Sequence, residues 1–451
     1  KTPSDYYDVI SKVNKKEGNC TCNFSFYLDM LLNLSILTLN VWGIPFPFVS
    51  KDREERIAAI GLELSSGKYD IVSLQEVWSR KDCESLKNAT EATLPYAHYF
   101  YSGVIGSGLL VLSKYPIISS FFHPWSVNGY FHRIQHADWF GGKGVGLCRI
   151  LVDKHVVHLY NTHLHAEYNN NNDDYKTHRV IQAFDTAQFI RATRGDSVLQ
   201  ILAGDLNAQP HDLTYKVLLY TSKMQDCCAS ENIVTNEYYK NSYTSTNRSG
   251  KKPLGVHIDH IFVRNSELFD LSVIDYELPL TDPVPGQSFS YSDHEAVLTK
   301  LHLRDVRPSA AEGESSILNN LMKNERHENN EVCQTSSKTD ECHISRRVAV
   351  LHESISLCES SLDQLNVDRI FYYSVGVILA FILVVFLEYP APLGFKTFYI
   401  ILKFLISGIL MFCIFMGSVW NYMELNGILS GKVAMELMLR SIEIFENVPK
   451  H

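Results

Sequence analysis

Val198 to Gln209 reads VLQILAGDLNAQ, an apolar run that ends in Gly204-Asp205-Leu206-Asn207. Residues i and i+2 of an extended strand point the same way. The spacing therefore predicts that Asp205 and Asn207 project together from the end of a buried strand. Asp205 is an acceptor that polarises water or holds a metal, and Asn207 donates hydrogen bonds to an oxyanion. Other polar residues repeat the pattern. Asn40 ends LSILTLN, Glu76 follows DIVSLQ and His163 follows an apolar run through Asn161-Thr162. Asp259 lies in HIDH, and Asp293-His294 in YSDHE just before the last apolar run. A core has no use for strand after strand ending in a carboxylate, carboxamide or imidazole. A site built along one rim of a sheet scaffold does.

Residue type suggests the division of work. Glu76 and Asn40 are hard oxygen ligands suited to Mg²⁺. His294 is a general base, since imidazole exchanges a proton near neutrality, and Asp259 is the carboxylate that fixes its tautomer. Asp205 shares in activating a water, so the base role falls to either Asp205 or His294. Asn207 and His163 donate hydrogen bonds to phosphoryl oxygens as charge builds. No GxSxG signature is present, which favours an attacking water over a serine nucleophile.

The elements that must position these residues follow from periodicity. Strands are expected at 34–40 and 70–75, twice within 99–113 around Gly103, Gly106 and Gly108, at 145–151 and 155–162, at 198–205, at 257–263 and at 295–303. Helices are expected at 53–64 and 175–193. The alternation of strands with few long helices suggests a large α+β sandwich of sheets. The chain of 451 residues is 45% apolar and carries a net charge of −9, without the basic stripe that nucleic acid requires. Its ten cysteines lack disulfide or zinc spacing and read as free thiols in a reducing compartment.

The catalytic domain is expected at 30–305, after an unassigned extension at 1–29 without a signal peptide. Beyond it the composition changes. Residues 306–368 read as a polar linker with a short helix near 348–357. Residues 369–421 hold two apolar runs: Ile370 to Leu387 has no charge, and Phe398 to Trp420 only Lys403. Each is long enough to cross a bilayer, and the connection with Pro390 and Pro392 makes them a hairpin. Arg346, Arg347, Arg369, Lys432 and Arg440 flank the spans, which places the large domain and the tail in the cytoplasm. The tail at 422–451 has the spacing of an amphipathic helix on a membrane surface.

Asn40, Gln75-Glu76, Gly204-Asp205-Leu206-Asn207 and Ser292-Asp293-His294 resemble the Mg²⁺-dependent phosphodiesterase superfamily of DNase I, apurinic endonucleases and inositol-polyphosphate 5-phosphatases. LNVWGIP at 39–45, LQEVWS at 74–79, SGVIGSGLLVLSKYPI at 102–117, HADWFGGKGVGL at 136–147, NTHLHAEY at 161–168, AGDLNAQP at 203–210 and SDHEA at 292–296 narrow the resemblance. They are similar to neutral sphingomyelinases of the animal type, which carry two C-terminal membrane spans. The resemblance implies a four-layered α/β sandwich, two central sheets flanked by helices, followed by the transmembrane hairpin. It implies Mg²⁺-dependent hydrolysis of sphingomyelin to ceramide and phosphocholine. By motif, Glu76 and Asn40 match the metal site, Asp205, Asn207 and His294 the catalytic core, Asp259 the orienting carboxylate, and His163 the histidine of the THLxAE segment. Asp138 and Lys143 match an Asp and Lys five residues apart in a glycine-bearing loop, with Lys143 near the substrate phosphate and Asp138 alternating between partners. Asn207, His163 and Lys143 would then touch substrate. The implied partner is a membrane phospholipid, with no nucleic acid, and the implied setting is an intracellular or plasma membrane. The alternatives are the same cleavage of lyso-platelet-activating factor or ceramide phosphoethanolamine, or a nuclease or inositol phosphatase on the same fold.

Overall fold

The chain reaches its site through strands buried on both faces. In a computed structural model, which describes residues 31–46, 49–136, 138–169, 173–228, 230, 232–246, 254–306 and 332–446, β1 spans Leu31–Asn40. Its Leu32, Leu34 and Ile36 enter the core between two sheets, while Leu37 and Leu39 pack under outer helices. Two buried faces explain why the strand reads as a nearly continuous apolar run. The extension expected at 1–29 lies outside the described residues.

One sheet has the order β11-β12-β1-β2-β4-β3 and the other β5-β6-β7-β8-β10-β9. The strands of the first are β1, β2 (Ile71–Gln75), β3 (Tyr96–Tyr99), β4 (Leu110–Ser113), β11 (Phe269–Glu277) and β12 (Val297–Asp305). Those of the second are β5 (Ile117–Pro124), β6 (Gly144–Val152), β7 (His155–His163), β8 (Leu199–Asp205), β9 (Gln225–Asp226) and β10 (Asp259–Asn265). Helices α1 (Arg53–Leu64) and α2 (Arg80–Thr90) cover the first sheet. Ile57, Ile60 and Leu64 of α1 are buried at helical spacing. Helices α3 (Lys176–Ala192) and α4 (Leu213–Ser222) cover the second. Helix, sheet, sheet, helix is the four-layered sandwich that the resemblance implied.

Register places the site. Asn40 pairs with Gln75 across the parallel β1–β2 pair, so Glu76 follows at the same rim. His163 pairs with Asp205 across β7–β8, and Asp205 with Asp259 across β8–β10. Three site residues thus stand side by side on adjacent strands. Polar bonds close the top of the sandwich above the apolar core. Gln75 Nε2 donates to Asn161 Oδ1 at 2.9 Å, and Ser73 Oγ to the Ala203 carbonyl at 3.0 Å.

The 99–113 stretch differs from the expectation of two strands. β3 ends at Tyr99, and Gly103, Gly106 and Gly108, all at positive φ, form a loop before β4. The strand expected at 257–263 begins at Asp259, and that expected at 295–303 begins at Val297. β5, β11, α2 and α4 were not expected. β5 and α2 expose much of their length, so apolar periodicity is weak there.

The C-terminal region departs most. Residues 307–331 lie outside the described set, but Val332–Glu388 is one continuous helix, α5, where a polar linker was expected. It docks on the sandwich before becoming a span: Val350, Leu351, Cys358 and Leu365 join the core under α3 and α4. Arg347 Nε donates to the Tyr220 carbonyl at 2.7 Å. α6 (Lys396–Phe415) returns, and a one-turn π-helix at Met416–Trp420 leads into α7 (Asn421–Glu446). α7, expected as an amphipathic helix on a membrane surface, docks one face on the sandwich. Ile428, Met435, Met438 and Leu439 pack it onto the sandwich, and His178 of α3 bonds Glu424. Gly431 permits the approach, since a Cβ there would sit 2.7 Å from Ile181 Cγ2. α5, and the helix that α6, the π-turn and α7 form together, are long and apolar enough to cross a membrane. Only 6% of each apolar window is buried, where a soluble core helix is mostly buried. Their length and exposed apolar surface suggest membrane association.

Candidate active site

The polar ends of β1, β2, β7, β8 and β10 converge. Asn40 Nδ2 donates to Asp205 Oδ2 at 3.0 Å and to Glu76 Oε1 at 3.1 Å, so one carboxamide bridges the two sheets. Its Oδ1 accepts the Trp42 amide at 3.0 Å. Glu76 sits at φ 59°, in the left-handed region that costs a non-glycine residue about 1–2 kcal/mol. Gly43 N and Trp78 N both bond its carbonyl, at 3.1 and 3.0 Å, and hold it there. Strain held by its surroundings is a mark of functional positions. Glu76 Oε2 is buried without a hydrogen-bond partner among the described residues. Burial raises the Glu76 carboxyl above its ordinary value, and the Asp293 carboxylate adds to the rise. Asp293 is a site residue that spacing alone did not single out from His294; its own carboxyl is raised by burial.

His294 Nδ1 bonds Asp259 Oδ2 at 2.8 Å, which leaves Nε2 turned toward Asp205 Oδ2, 3.9 Å away. Burial works to lower the His294 pKa, but Asp259 overcomes it and holds the imidazole well above its usual range. Asp205 is pushed up to about 7 by burial and by Asp259. Two neighbouring groups at the site thus carry raised pKa values.

Asn207 corrects the strand-face argument. β8 stops at Asp205, and the chain turns through Asn207 at φ 45°. The Asn207 amide then caps Asp205 Oδ1 at 2.8 Å, and its Nδ2 donates to the Leu164 carbonyl at 3.1 Å. Gly204 has a separate reason. A Cβ there would lie 2.0 Å from the Thr162 carbonyl on β7. Gly204→Ala is therefore expected to push β7 from β8 and shift Asp205. A misplacement of about 1 Å costs roughly 10²-fold in turnover. Steady-state kinetics beside a far-UV spectrum would separate this from unfolding.

Lys143 and Asp138 form a buried ion pair. The Lys143 ammonium also bonds His163 Nε2 at 3.2 Å and the Leu164 carbonyl at 3.1 Å. An ammonium only donates, so His163 Nε2 accepts and its proton sits on Nδ1. Burial and Lys143 push His163 well below the ordinary imidazole value, keeping it neutral. At this nitrogen His163 therefore accepts from Lys143, and the proton it can donate is on Nδ1. Burial works to raise the Asp138 carboxyl, but Lys143 and His165 hold it below the carboxylate range. Tyr168 completes the clamp, its hydroxyl 2.5 Å from Asp138 Oδ2, and stacks on His136 at 3.8 Å. Tyr168, His165 and His136 escaped sequence reasoning because their partner is distant in the chain.

A cavity of about 360 Å³ joins these groups, with Glu76, Asp138, Lys143 and His163 among its polar walls and Ile44, Phe46, Trp78 and Ile105 among its apolar ones. Asp205, Asp259 and His294 offer ligand atoms within 4.8 Å of one another, enough to hold a metal ion. Glu76 Oε2 and Asp259 Oδ1, both buried and unpartnered among the described residues, supply further oxygens. Buried carboxylates with raised pKa values fit a divalent cation, whose charge relieves their repulsion.

Residues 37–294 match the endonuclease/exonuclease/phosphatase family. A Drosophila melanogaster protein provisionally named neutral sphingomyelinase is 55% identical over 440 residues, 92% of this chain and 99% of its own. A Caenorhabditis elegans protein under the same provisional name is 31% identical over 428 residues, 90% and 91% of the two chains. Human sphingomyelin phosphodiesterase 2 is 38% identical over 287 residues, 61% of this chain and 66% of its own. The match to the family runs from the middle of β1 to His294 and so takes in every strand end that builds the site. The chain belongs to the endonuclease/exonuclease/phosphatase family and, within it, to the neutral sphingomyelinases.

Proposed function

We propose that the chain hydrolyses sphingomyelin to ceramide and phosphocholine at a membrane surface, with Mg²⁺. One observation carries the reading. A His–Asp pair, an acidic corner and a buried lysine surround one site on a chain with two apolar membrane helices. The names of its relatives supply the substrate.

His294 and Asp205 take the proton of the attacking water, and Asp259 fixes the His294 tautomer so that Nε2 faces that water. The water oxygen bonds to phosphorus, the bond from phosphorus to the ceramide oxygen breaks, and that oxygen gains a proton. Lys143 has three donors, and all three are engaged. To reach a phosphoryl oxygen it must release one, so a shift of Asp138 toward Tyr168 and His165 accompanies substrate binding. Asn207 and His163 hold the Leu164 turn and the Lys143 ammonium beside the phosphate. Glu76 and Asn40 hold Mg²⁺, which when bound supplies Lewis-acid withdrawal of charge from a phosphoryl oxygen. The basic residues flanking the spans support a cytoplasmic sandwich on an intracellular or plasma membrane.

A headgroup panel in mixed micelles, with Mg²⁺ and with chelator, tests the reading. Sphingomyelin is expected to turn over faster than lyso-platelet-activating factor and ceramide phosphoethanolamine, with turnover lost in chelator. Cleavage of nicked DNA or of an inositol polyphosphate in place of sphingomyelin would overturn it.

A further inference from the structure

Buried Asp138, Lys143 and His163 and exposed Phe46 and Ile105 line the same cavity. Three segments distant in sequence bring exposed apolar side chains to it or beside its lining. Phe46 is 64% exposed, Ile105 44% and its neighbour Val104 75%. Ile134, 70% exposed, stands on the same single turn as His136, which lines the cavity. Isolated exposed apolar side chains are ordinary, but a group gathered around one opening marks an interaction surface.

The backbone ties this rim to the end of the second span. The amides of Val104 and Ile105 donate to the Phe140 carbonyl at 2.7 and 3.2 Å. Trp139, next in the chain, lies 6.4 Å from Trp420 and 6.0 Å from Phe131, ring to ring. Phe131 is in turn 5.3 Å from Phe415, the last residue of α6. Aromatic residues at the end of a span sit at the membrane–water interface. The rim is therefore held at the level where the span leaves the bilayer.

We propose that Phe46, Val104, Ile105 and Ile134 form a collar inserted in the lipid leaflet around the mouth of the site, so that a phospholipid enters laterally without leaving the bilayer. The occupant is the bilayer surface and not a protein, because the collar is continuous with the membrane helices. The lipid class rests on the function proposed above; the insertion does not.

Full-length protein in lipid vesicles tests both parts. In Val104→Trp, the added tryptophan emission should be quenched by bromine-labelled acyl chains well beyond the wild-type background. Absence of added quenching overturns the proposal, whatever the chain hydrolyses. Val104→Asp combined with Ile134→Asp is expected to lower turnover of bilayer sphingomyelin by about tenfold or more, since a charge is costly in hydrocarbon. Turnover of a short-chain sphingomyelin dissolved as monomers should hold. Equal loss on both substrates would place these side chains in the reaction and not in the bilayer. If wild type turns over neither substrate, the functional reading fails while the quenching still decides the insertion.

Discussion

Replacing His294 by alanine is expected to lower kcat about 10³–10⁴-fold with little change in KM. The magnitude follows from the size of general-base contributions. His294 Nε2 and Asp205 Oδ2 are neighbours and take the water proton in the proposed mechanism, and Asp259 holds the imidazole from behind. Removing the ring strands Asp259 Oδ2 in a buried place, so a stability loss of about 1–3 kcal/mol accompanies the kinetic effect. Thermal melting measures that part. Asp259→Asn keeps the shape and allows the wrong tautomer, and should cost about 10²–10⁴-fold. If the two residues act as a unit, the double variant loses no more than His294→Ala alone. Full turnover by His294→Ala would remove this residue from the reaction.

Glu76→Gln is expected to weaken the apparent affinity for Mg²⁺ and to lose activity that excess Mg²⁺ partly restores. Glutamine keeps the size and a partner for Asn40 Nδ2 but replaces the unpartnered Oε2 with an amide. Substitutions around metal sites commonly cost about 10–100-fold in affinity or activity. Mg²⁺ should also raise the melting temperature of the wild type more than that of the variant, because a ligand stabilises the state that binds it. This second readout does not depend on turnover. A wild type whose melting point and activity ignore both Mg²⁺ and chelator would contradict the assignment of Glu76 and Asn40.

Much of the site was legible because strands deliver it. Asn40, Glu76, His163, Asp205 and Asp259 each end or follow an apolar run, and strand register alone sets three of them side by side. The five-residue spacing of Asp138 and Lys143 was legible too, and the two side chains pair. What was hidden depends on turns and on distant contacts. β8 ends at Asp205 and Asn207 turns away at a positive φ, so period-two reasoning ran two residues past the strand. The Asp138 clamp uses Tyr168 and His165, which no local pattern links to it. Most strands could be read from apolar runs and the four layers from the resemblance, but α2 could not be read, because its sequence is mostly polar with only a few buried positions. The part of α5 before its apolar run reads as a linker because its sequence is rich in polar and charged residues. Val350, Leu351, Cys358 and Leu365 show their purpose only beside α3 and α4. Packing against a distant surface, not local pattern, decides that stretch.

The most direct test is to run the reaction on sphingomyelin in water enriched in ¹⁸O and weigh both products. Attack of a site-activated water on phosphorus puts the label into phosphocholine and leaves the ceramide unlabelled. Label in ceramide, or release of free choline with ceramide phosphate, would contradict the cleavage that His294, Asp205 and Lys143 are proposed to perform.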